Sequence, residues 1–207
     1  RINTKTFISN YKYNHETTKI TPSKIIDDYA YSLALKKEKK YKEASIVLND
    51  LLKILSDKSE LYIIKKYISI ELSEIYLLNN KNKKALSILE NLNNIYPTDN
   101  AVLYYLSKAY IENKMYKQSI NKLMPYVIEH KDHRLILKIS EAAYKLKEQS
   151  LGHEYRGEYL KVIGSFNSAI KYYNLALQYN MKGKTIDDRI SSKIREIERL
   201  KNSKEIL

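Results

Sequence analysis

The sequence contains no cysteine. This excludes disulfide bonds, cysteine-based zinc sites and thiol nucleophiles, but it leaves the compartment open because disulfide-free proteins also occur in oxidising environments. No apolar run approaches the roughly 20 residues that a membrane-spanning helix requires. The sequence therefore predicts no transmembrane segment.

Turn-forming residues are also scarce, with four glycines and three prolines among 207 residues. This scarcity argues against a fold with many strands, and a hydrophobic fraction of 43% argues against a disordered chain. The composition thus predicts an all-α protein. The chain opens at Arg1 without a leader sequence, so we expect an excised piece of a longer product.

A formal charge of +13 predicts attraction to nucleic acid, anionic lipid headgroups or an acidic protein. The alternative is that the lysines only cover solvated helix faces.

One short motif recurs at a fixed distance. LSEIY, which begins at Leu72, returns 34 residues later as LSKAY, and Tyr144 follows Tyr110 by another 34. A period near 34 is typical of tetratricopeptide repeats, in which pairs of antiparallel helices, A and B, stack on one another. We therefore predict a tetratricopeptide-repeat superhelix of about ten helices, with a capping helix at the C-terminus.

The repeat spacing is irregular at two places. Small residues early in the B helices, Ala44, Ala85, Ser119 and Ala169, are 41, 34 and 50 residues apart. The first interval predicts an insertion near SDKSE, and the last predicts an extra helix over 132–147. Residues 1–23 are predicted to form a leading helix and a connector, 24–180 the repeats, and 181–207 the capping helix.

Several helix ends can be placed from local signals. The candidate residues for capping helix starts are Thr21 before Pro22, Thr98 or Asp99, Asp132, and Thr185 with Asp188 three residues later. Pro125 falls inside a B helix, where its ring is expected to kink the helix or end it early.

No constellation of residues predicts catalysis. HETTK at His15 and HEYRG at His153 each lack the second histidine that a zinc-protease helix needs, and no glycine-rich phosphate loop is present. His130 and His133 are interpreted as surface residues. We therefore assign no catalytic residue, metal ligand or cofactor to the chain.

A binding surface is expected on the A helices, which line the concave side of such a superhelix. Tyrosine suits recognition because it offers a large contact area with a polar tip, although Tyr67 and Tyr104 can equally pack between helices. The predicted groove residues are Tyr29, Tyr67, Ile70, Glu74, Tyr104, Lys108, Lys138, Glu154 and Glu158.

A second surface follows from topology, because all A-to-B turns fall on one edge of a repeat array. Three turns are rich in lysine and predict a basic rim that steers an acidic partner or rests near anionic headgroups. Its residues are Lys36, Lys37, Lys39, Lys40, Lys81, Lys83, Lys84, Lys114 and Lys117.

The segment 153–178 and the basic ending 187–201 resemble the C-terminal end of BepA-type periplasmic zinc metalloproteases. His153, Arg156, Glu158 and Tyr159 match the family's pattern, with Gly157 in place of its usual alanine. The resemblance implies a non-catalytic repeat domain in the periplasm. Such a domain would pack on a peptidase domain in cis and dock onto the outer-membrane β-barrel assembly machinery or its substrates.

Two alternatives remain open from sequence. The chain could be a free-standing repeat adaptor with an unrelated partner. RNA binding is disfavoured because no regular pair of base-reading side chains accompanies the repeats.

Overall fold

The computed structural model describes residues 3–11 and 21–204, except for the side chains of residues 203 and 204. All of the regular secondary structure in these residues is helical. The chain divides into two compact units, Arg1–Asn113 and Lys114–Leu207, here called unit 1 and unit 2. Among the described residues, none of the helices has both the length and the apolar character needed to cross a bilayer.

The described residues of unit 1 form six α-helices and a 3₁₀ turn, Ser59–Leu61, which lies at the predicted insertion. The helices are α1 Thr4–Asn10, α2 Pro22–Lys37, α3 Tyr41–Ile54, α4 Tyr62–Leu78, α5 Asn82–Ile95 and α6 Asn100–Glu112. The helix α1 lies in the predicted leading segment and packs on α2, whereas the connector lies largely in residues 12–20, outside the described part of the chain.

Five helices form the part of unit 2 that the structure describes. They are α7 Tyr116–His130, α8 His133–Lys145, α9 Gln149–Val162, α10 Phe166–Gln178 and α11 Lys184–Lys204. The helix α8 is the extra helix predicted over 132–147.

Three of the predicted caps are confirmed. Thr21 accepts a hydrogen bond from the backbone N–H of Lys24, and Asp99 and Asp132 each accept from two backbone N–H groups of their helices. These bonds satisfy donors that a helix start leaves without an intrahelical partner. Thr185 was predicted wrongly, because α11 already begins at Lys184.

Of the two outcomes expected at Pro125, a kink or an early end, the early end was wrong, since α7 continues to His130. Pro125 and Asn121 are both exposed, so water can satisfy the carbonyl that proline leaves unbonded. The helix is followed by Lys131, which ends it with a left-handed backbone of φ 51°.

One tight turn joins four of the helix pairs. In each, an N–H bonds back to the carbonyl five residues earlier, as from Lys40 to Leu35 and from Lys81 to Tyr76. The residue before that donor has positive φ in all four turns, which is typical of a Schellman motif. The four residues are Lys39, Asn80, Lys147 and Gly164.

The last two of these turns explain the 50-residue interval between Ser119 and Ala169. Gly164 follows Lys147 by only 17 residues, because 164 minus 147 is 17. The helix α9 packs on both α8 and α10, so it serves as the second helix of one hairpin and the first helix of the next.

The recurring Leu, Ser and Tyr residues build the interior. In unit 1, Leu72 and Ser73 of α4 are fully buried beside the small residues Ala44 and Ala85. Tyr76 is 8% exposed, and its hydroxyl accepts a hydrogen bond from the side chain of Asn49. Burying each large apolar side chain contributes about 1.5–3 kcal/mol. The motif is therefore structural.

Candidate functional site

The A helices of unit 1, α2, α4 and α6, lie in parallel. Lys66 near the start of α4 contacts Asp99 at the start of α6, and Lys36 near the end of α2 contacts Glu74 toward the end of α4. Positions spaced by three and four residues along each helix form one face. We call this the A-helix face; its residues are Ile26, Tyr29, Leu33, Lys36, Tyr67, Glu74, Tyr104 and Lys108.

An ion-pair ladder crosses this face. Lys36 Nζ lies 2.6 Å from Glu71 Oε1 and 2.6 Å from Glu74 Oε2, and Lys108 Nζ lies 3.4 Å from Glu74 Oε1. The hydroxyl of Tyr105 also donates to Glu74, at 3.4 Å. Two lysines and two glutamates balance each other, so the ladder links three helices without adding net charge to the face.

The ladder shifts the acidity of its members. Burial alone would raise the pKa of Glu74, but the hydrogen bonds and charges of Lys36 and Lys108 outweigh it and lower that pKa below its usual value. Burial and the charge of Glu74 raise the pKa of Tyr105 to about 12. Glu74 is therefore ionised and Tyr105 is neutral at neutral pH.

Beside the ladder, the A-helix face presents apolar side chains. Ile26 is 66% exposed, Tyr67 is 52% exposed and Leu33 is 38% exposed, whereas Tyr29 and Tyr104 are half-buried. Exposed large apolar groups next to neutralised charges favour contact with another apolar surface.

Tyr67 is held in place by neighbouring groups. Lys66 Nζ lies 4.6 Å from the centre of the Tyr67 ring and 5.3 Å from that of Tyr96. The same ammonium group lies 2.7 Å from Asp99 Oδ2, and this bond is the main reason that the pKa of Lys66 is raised. A positioned ring suits recognition because little side-chain entropy is lost on binding.

An apolar cleft of 510 Å³ adjoins the start of the A-helix face, at Ile26. It lies between the start of α2 and the inserted segment before α4. Its lining residues are Pro22, Ile25, Ile26, Lys58, Glu60, Leu61 and Ile64. The longer first repeat interval thus builds a cleft that can receive an apolar side chain.

Two predicted groove residues do not lie open to solvent. Ile70 is 6% exposed and belongs to the core of unit 1. Glu154 is 2% exposed, because α11 covers it. Neither can line an open groove, since their positions in the helical register face a neighbouring helix.

Unit 2 uses its acidic residues to hold α11. Arg189 and Lys193 each approach Glu154 to 2.7 Å, and Lys193 also lies 2.7 Å from Glu158. Burial alone would raise the pKa of Glu158, but Lys193 and Lys161 lower it below its usual value. Glu158 thus serves a helix contact, as Glu154 does.

Lys138, the remaining predicted groove residue, is half-buried in unit 2. Its ammonium group lies 2.7 Å from Glu141 Oε2 on the same helix. No structural feature tests its role, so it stays a prediction.

The rim lysines have different surroundings. Lys36 does not belong to a rim, because its ammonium group is bound by two glutamates of α4. In unit 1 the exposed members are Lys37, Lys39, Lys40, Lys81, Lys83 and Lys84; in unit 2 Lys114 and Lys117 are exposed. Their function stays a prediction.

The histidines offer no metal centre in the described residues, where no group of three or more possible ligands occurs. His130 and His133 are exposed, in agreement with the sequence-based interpretation. His153 is half-buried among the rings of Tyr144, Tyr172 and Tyr179, and its Nδ1 lies 2.8 Å from the hydroxyl of Tyr144. Burial lowers the pKa of His153, which favours its neutral form.

The residues that carry the family resemblance all have packing roles. Arg156 lies over the ring of Tyr159, at 5.2 Å, and Glu158 binds Lys193. A Cβ added at Gly157 would lie 2.7 Å from the ring of Tyr173. This close approach explains why a residue without a Cβ stands at position 157.

The fold of this chain is similar to that of solved tetratricopeptide-repeat structures. MamA from residue 41 to its end, a tetratricopeptide-repeat protein from Desulfovibrio magneticus RS-1, superposes with a TM-score of 0.58. It is 18% identical, over 73% of this chain and 79% of that one. A MamA RS-1 double mutant gives a TM-score of 0.56 at 17% identity, over 70% of this chain and 78% of that one.

The chain has the tetratricopeptide-repeat fold. No model of a known protein family matches its sequence. No curated protein is significantly similar to it. The structural similarity therefore concerns the fold alone and identifies no binding site.

Some site residues were missed by the sequence analysis. Glu71 and Tyr105 belong to the ladder, and Arg189 and Lys193 hold α11. A pairing signal does exist in the sequence, because Glu74 and Lys108 are 34 residues apart, at one repeat position. Charges of opposite sign at one repeat position indicate contacts between successive A helices.

Proposed function

We propose that the chain is a non-catalytic protein-interaction domain, and that the A-helix face of unit 1 binds an amphipathic segment of a partner protein. The observation that carries the proposal is the exposure of Ile26, Leu33 and Tyr67 beside a charge-balanced ladder. Such a surface gains from burying apolar area and loses little by desolvating charge.

The adjoining cleft supports the same proposal. A large apolar side chain of the partner would enter the space beside Ile26, and the rest of its segment would lie along the face toward Tyr67. Aromatic and aliphatic anchors in small clefts commonly supply most of the binding energy of an interface.

Site-specific photo-crosslinking tests this proposal. Tyr67 is replaced by a benzophenone amino acid, and the same replacement at Tyr62 is the matched control, since both tyrosines lie on α4 with 52% and 53% exposure. We expect a discrete cross-linked protein partner from position 67 and none from 62. The same yield from both positions would contradict binding at the A-helix face.

The affinity contribution of the ring is tested with the partner so identified. Tyr67→Ala should weaken its binding by about 1–2 kcal/mol, as for an interface aromatic residue, while Tyr62→Ala changes it by less than about 0.5 kcal/mol. Circular dichroism serves to confirm that both variants keep their helical content.

The resemblance in 153–178 and 187–201 supports a finer proposal about context. The domain would belong to a periplasmic metalloprotease and contact the β-barrel assembly machinery or its substrates. The coding sequence upstream of Arg1 should then contain an HExxH motif. An upstream sequence without that motif would favour the alternative of a free-standing adaptor, for which the A-helix face would serve equally.

A further inference from the structure

We propose that the exposed lysines at the A-to-B turns of unit 1 form a second docking site, which binds an acidic segment of a partner protein. We call this the basic edge; its residues are Lys37, Lys39, Lys40, Lys81, Lys83 and Lys84. It is distinct from the A-helix face and does not depend on it.

Side-chain contacts place the two lysine-rich turns at one end of the A helices. Lys36, the penultimate residue of α2, reaches Glu74 near the end of α4. Asn82, just after the second turn, donates to the carbonyl of Glu112 at the end of α6, and Asn113 donates back to the carbonyl of Asn82. The turns are therefore fixed relative to one another within unit 1.

The charge of the basic edge is largely unneutralised. Within the described residues, its closest ion pair is Lys40 with Glu43, at 4.0 Å. By contrast, Lys36 and Lys66, elsewhere in unit 1, lie 2.6 Å and 2.7 Å from carboxylates. Unit 1 thus pairs the lysines that hold its helices and leaves those of the basic edge available.

Charge is also unevenly distributed between the two ends of the A helices. The end with the basic edge, 37–43, 79–84 and 112–113, carries seven lysines and three glutamates. The opposite end, 21–28, 50–66 and 95–101, carries five lysines and six carboxylates. A partner with negative charge is therefore steered to one end.

The backbone at the first turn places one further charge on the basic edge. Lys39 has a φ of 60°, in the left-handed region that favours glycine or asparagine. The corresponding positions of the other three turns hold Asn80, Lys147 and Gly164.

The chemistry of the basic edge suits carboxylates. Lysine ammonium groups are compact point charges, which pair with single carboxylates along an extended segment. Binding of single-stranded nucleic acid would use exposed aromatic rings for stacking, whereas Tyr76 beside this edge is buried, with Lys81 and Lys84 over its ring. An acidic protein segment is therefore the partner that fits best.

A direct test uses a fluorescently labelled oligo-glutamate peptide as the probe, at about 0.1 M salt. The edge variant combines Lys39→Gln, Lys81→Gln and Lys84→Gln. The control variant combines Lys5→Gln, Lys53→Gln and Lys145→Gln, which removes the same charge from exposed positions outside the basic edge. We expect roughly tenfold weaker binding for the edge variant and less than about twofold for the control. Equal weakening of both would overturn the proposal, because only the overall charge would matter.

Two competitors distinguish the class of partner. Vesicles containing phosphatidylglycerol and a single-stranded RNA oligonucleotide are titrated against the wild-type chain and the edge variant. Tighter binding of either than of the peptide, lost in the edge variant, would also overturn the proposal.

Two single variants distinguish loss of binding at the basic edge from loss of folding and from effects on the A-helix face. Lys39→Gly should weaken peptide binding while leaving the thermal midpoint unchanged or higher, since glycine relieves the backbone. Tyr67→Ala should leave peptide binding unchanged. Loss of peptide binding in Tyr67→Ala would contradict a separate site.

Discussion

Unit 1 and unit 2 each bind a glutamate with basic side chains of neighbouring helices, but the glutamates differ in how far they are covered. In unit 1 Glu74 receives lysines from two neighbouring A helices, and the ladder leaves Tyr67 and Leu33 exposed. In unit 2 Glu154 receives Arg189 and Lys193 from the final helix, which covers it. A glutamate that faces a neighbouring helix can therefore link successive A helices beside an exposed face, as Glu74 does. It can also hold a final helix that covers the last repeat, as Glu154 does.

The burial of the two glutamates predicts that unit 2 depends more on its ion pairs. Glu154→Gln should destabilise unit 2 by about 2–3 kcal/mol, because Arg189 and Lys193 lose a carboxylate that is almost fully enclosed. Urea unfolding combined with hydrogen exchange across α11 measures the loss. Glu198→Gln removes the same charge from an exposed position of α11, and we expect a change within about 0.5 kcal/mol. A similar loss in both variants would show that the ion pairs do not hold the cap.

The close packing of α9 on α10 is a second feature of unit 2. Gly157→Ala should cost about 1–2 kcal/mol, because a Cβ would lie 2.7 Å from the buried ring of Tyr173, and the better helix propensity of alanine offsets only part of this. Chemical denaturation measures the effect.

A second substitution should restore the Gly157→Ala variant. Adding Tyr173→Leu makes room for the methyl group, so the double variant should lose less than the sum of the two single variants. Strictly additive losses would mean that the ring and the glycine do not compete for space.

Unit 1 should respond more weakly to loss of its glutamate. Glu74→Gln is expected to cost about 1 kcal/mol, since its side chain is 19% exposed and those of Lys36 and Lys108 are 26% and 27% exposed. The same denaturation experiment measures this value. A loss as large as that of Glu154→Gln would remove the contrast between the two units.

The sequence predicted the helices well because their signals are local. The caps at Thr21, Asp99 and Asp132 follow from short patterns, whereas the extra helix before Lys147 follows from the spacing of the repeats. The burial of Glu154 could not be predicted in this way, because it depends on where α11 packs, 35 residues farther along the chain at Arg189. Lys36 was placed on the rim for the same reason, as its partners Glu71 and Glu74 lie in another helix.

Mild acid should produce the smallest difference between the two units. Burial lowers the pKa of His153 below its ordinary value of about 6.5, so the neutral ring is favoured in the folded state. Its contribution to stability is complete above about pH 6.5 and is lost as the pH falls through the lowered pKa. Glu158 responds in a separate and more acidic window, since its pKa lies below the usual carboxyl range.

Hydrogen exchange at about pH 7 and pH 5 follows this loss. Exchange in α8 and α9, around Tyr144 and His153, should quicken at the lower pH after correction for the intrinsic rate. The described residues of unit 1 contain no histidine and should change less. His153→Gln should abolish the difference between the two pH values in α8 and α9. A pH response that persists in this variant would assign it to the carboxylates that hold α11, because no titrating ring would remain beside Tyr144.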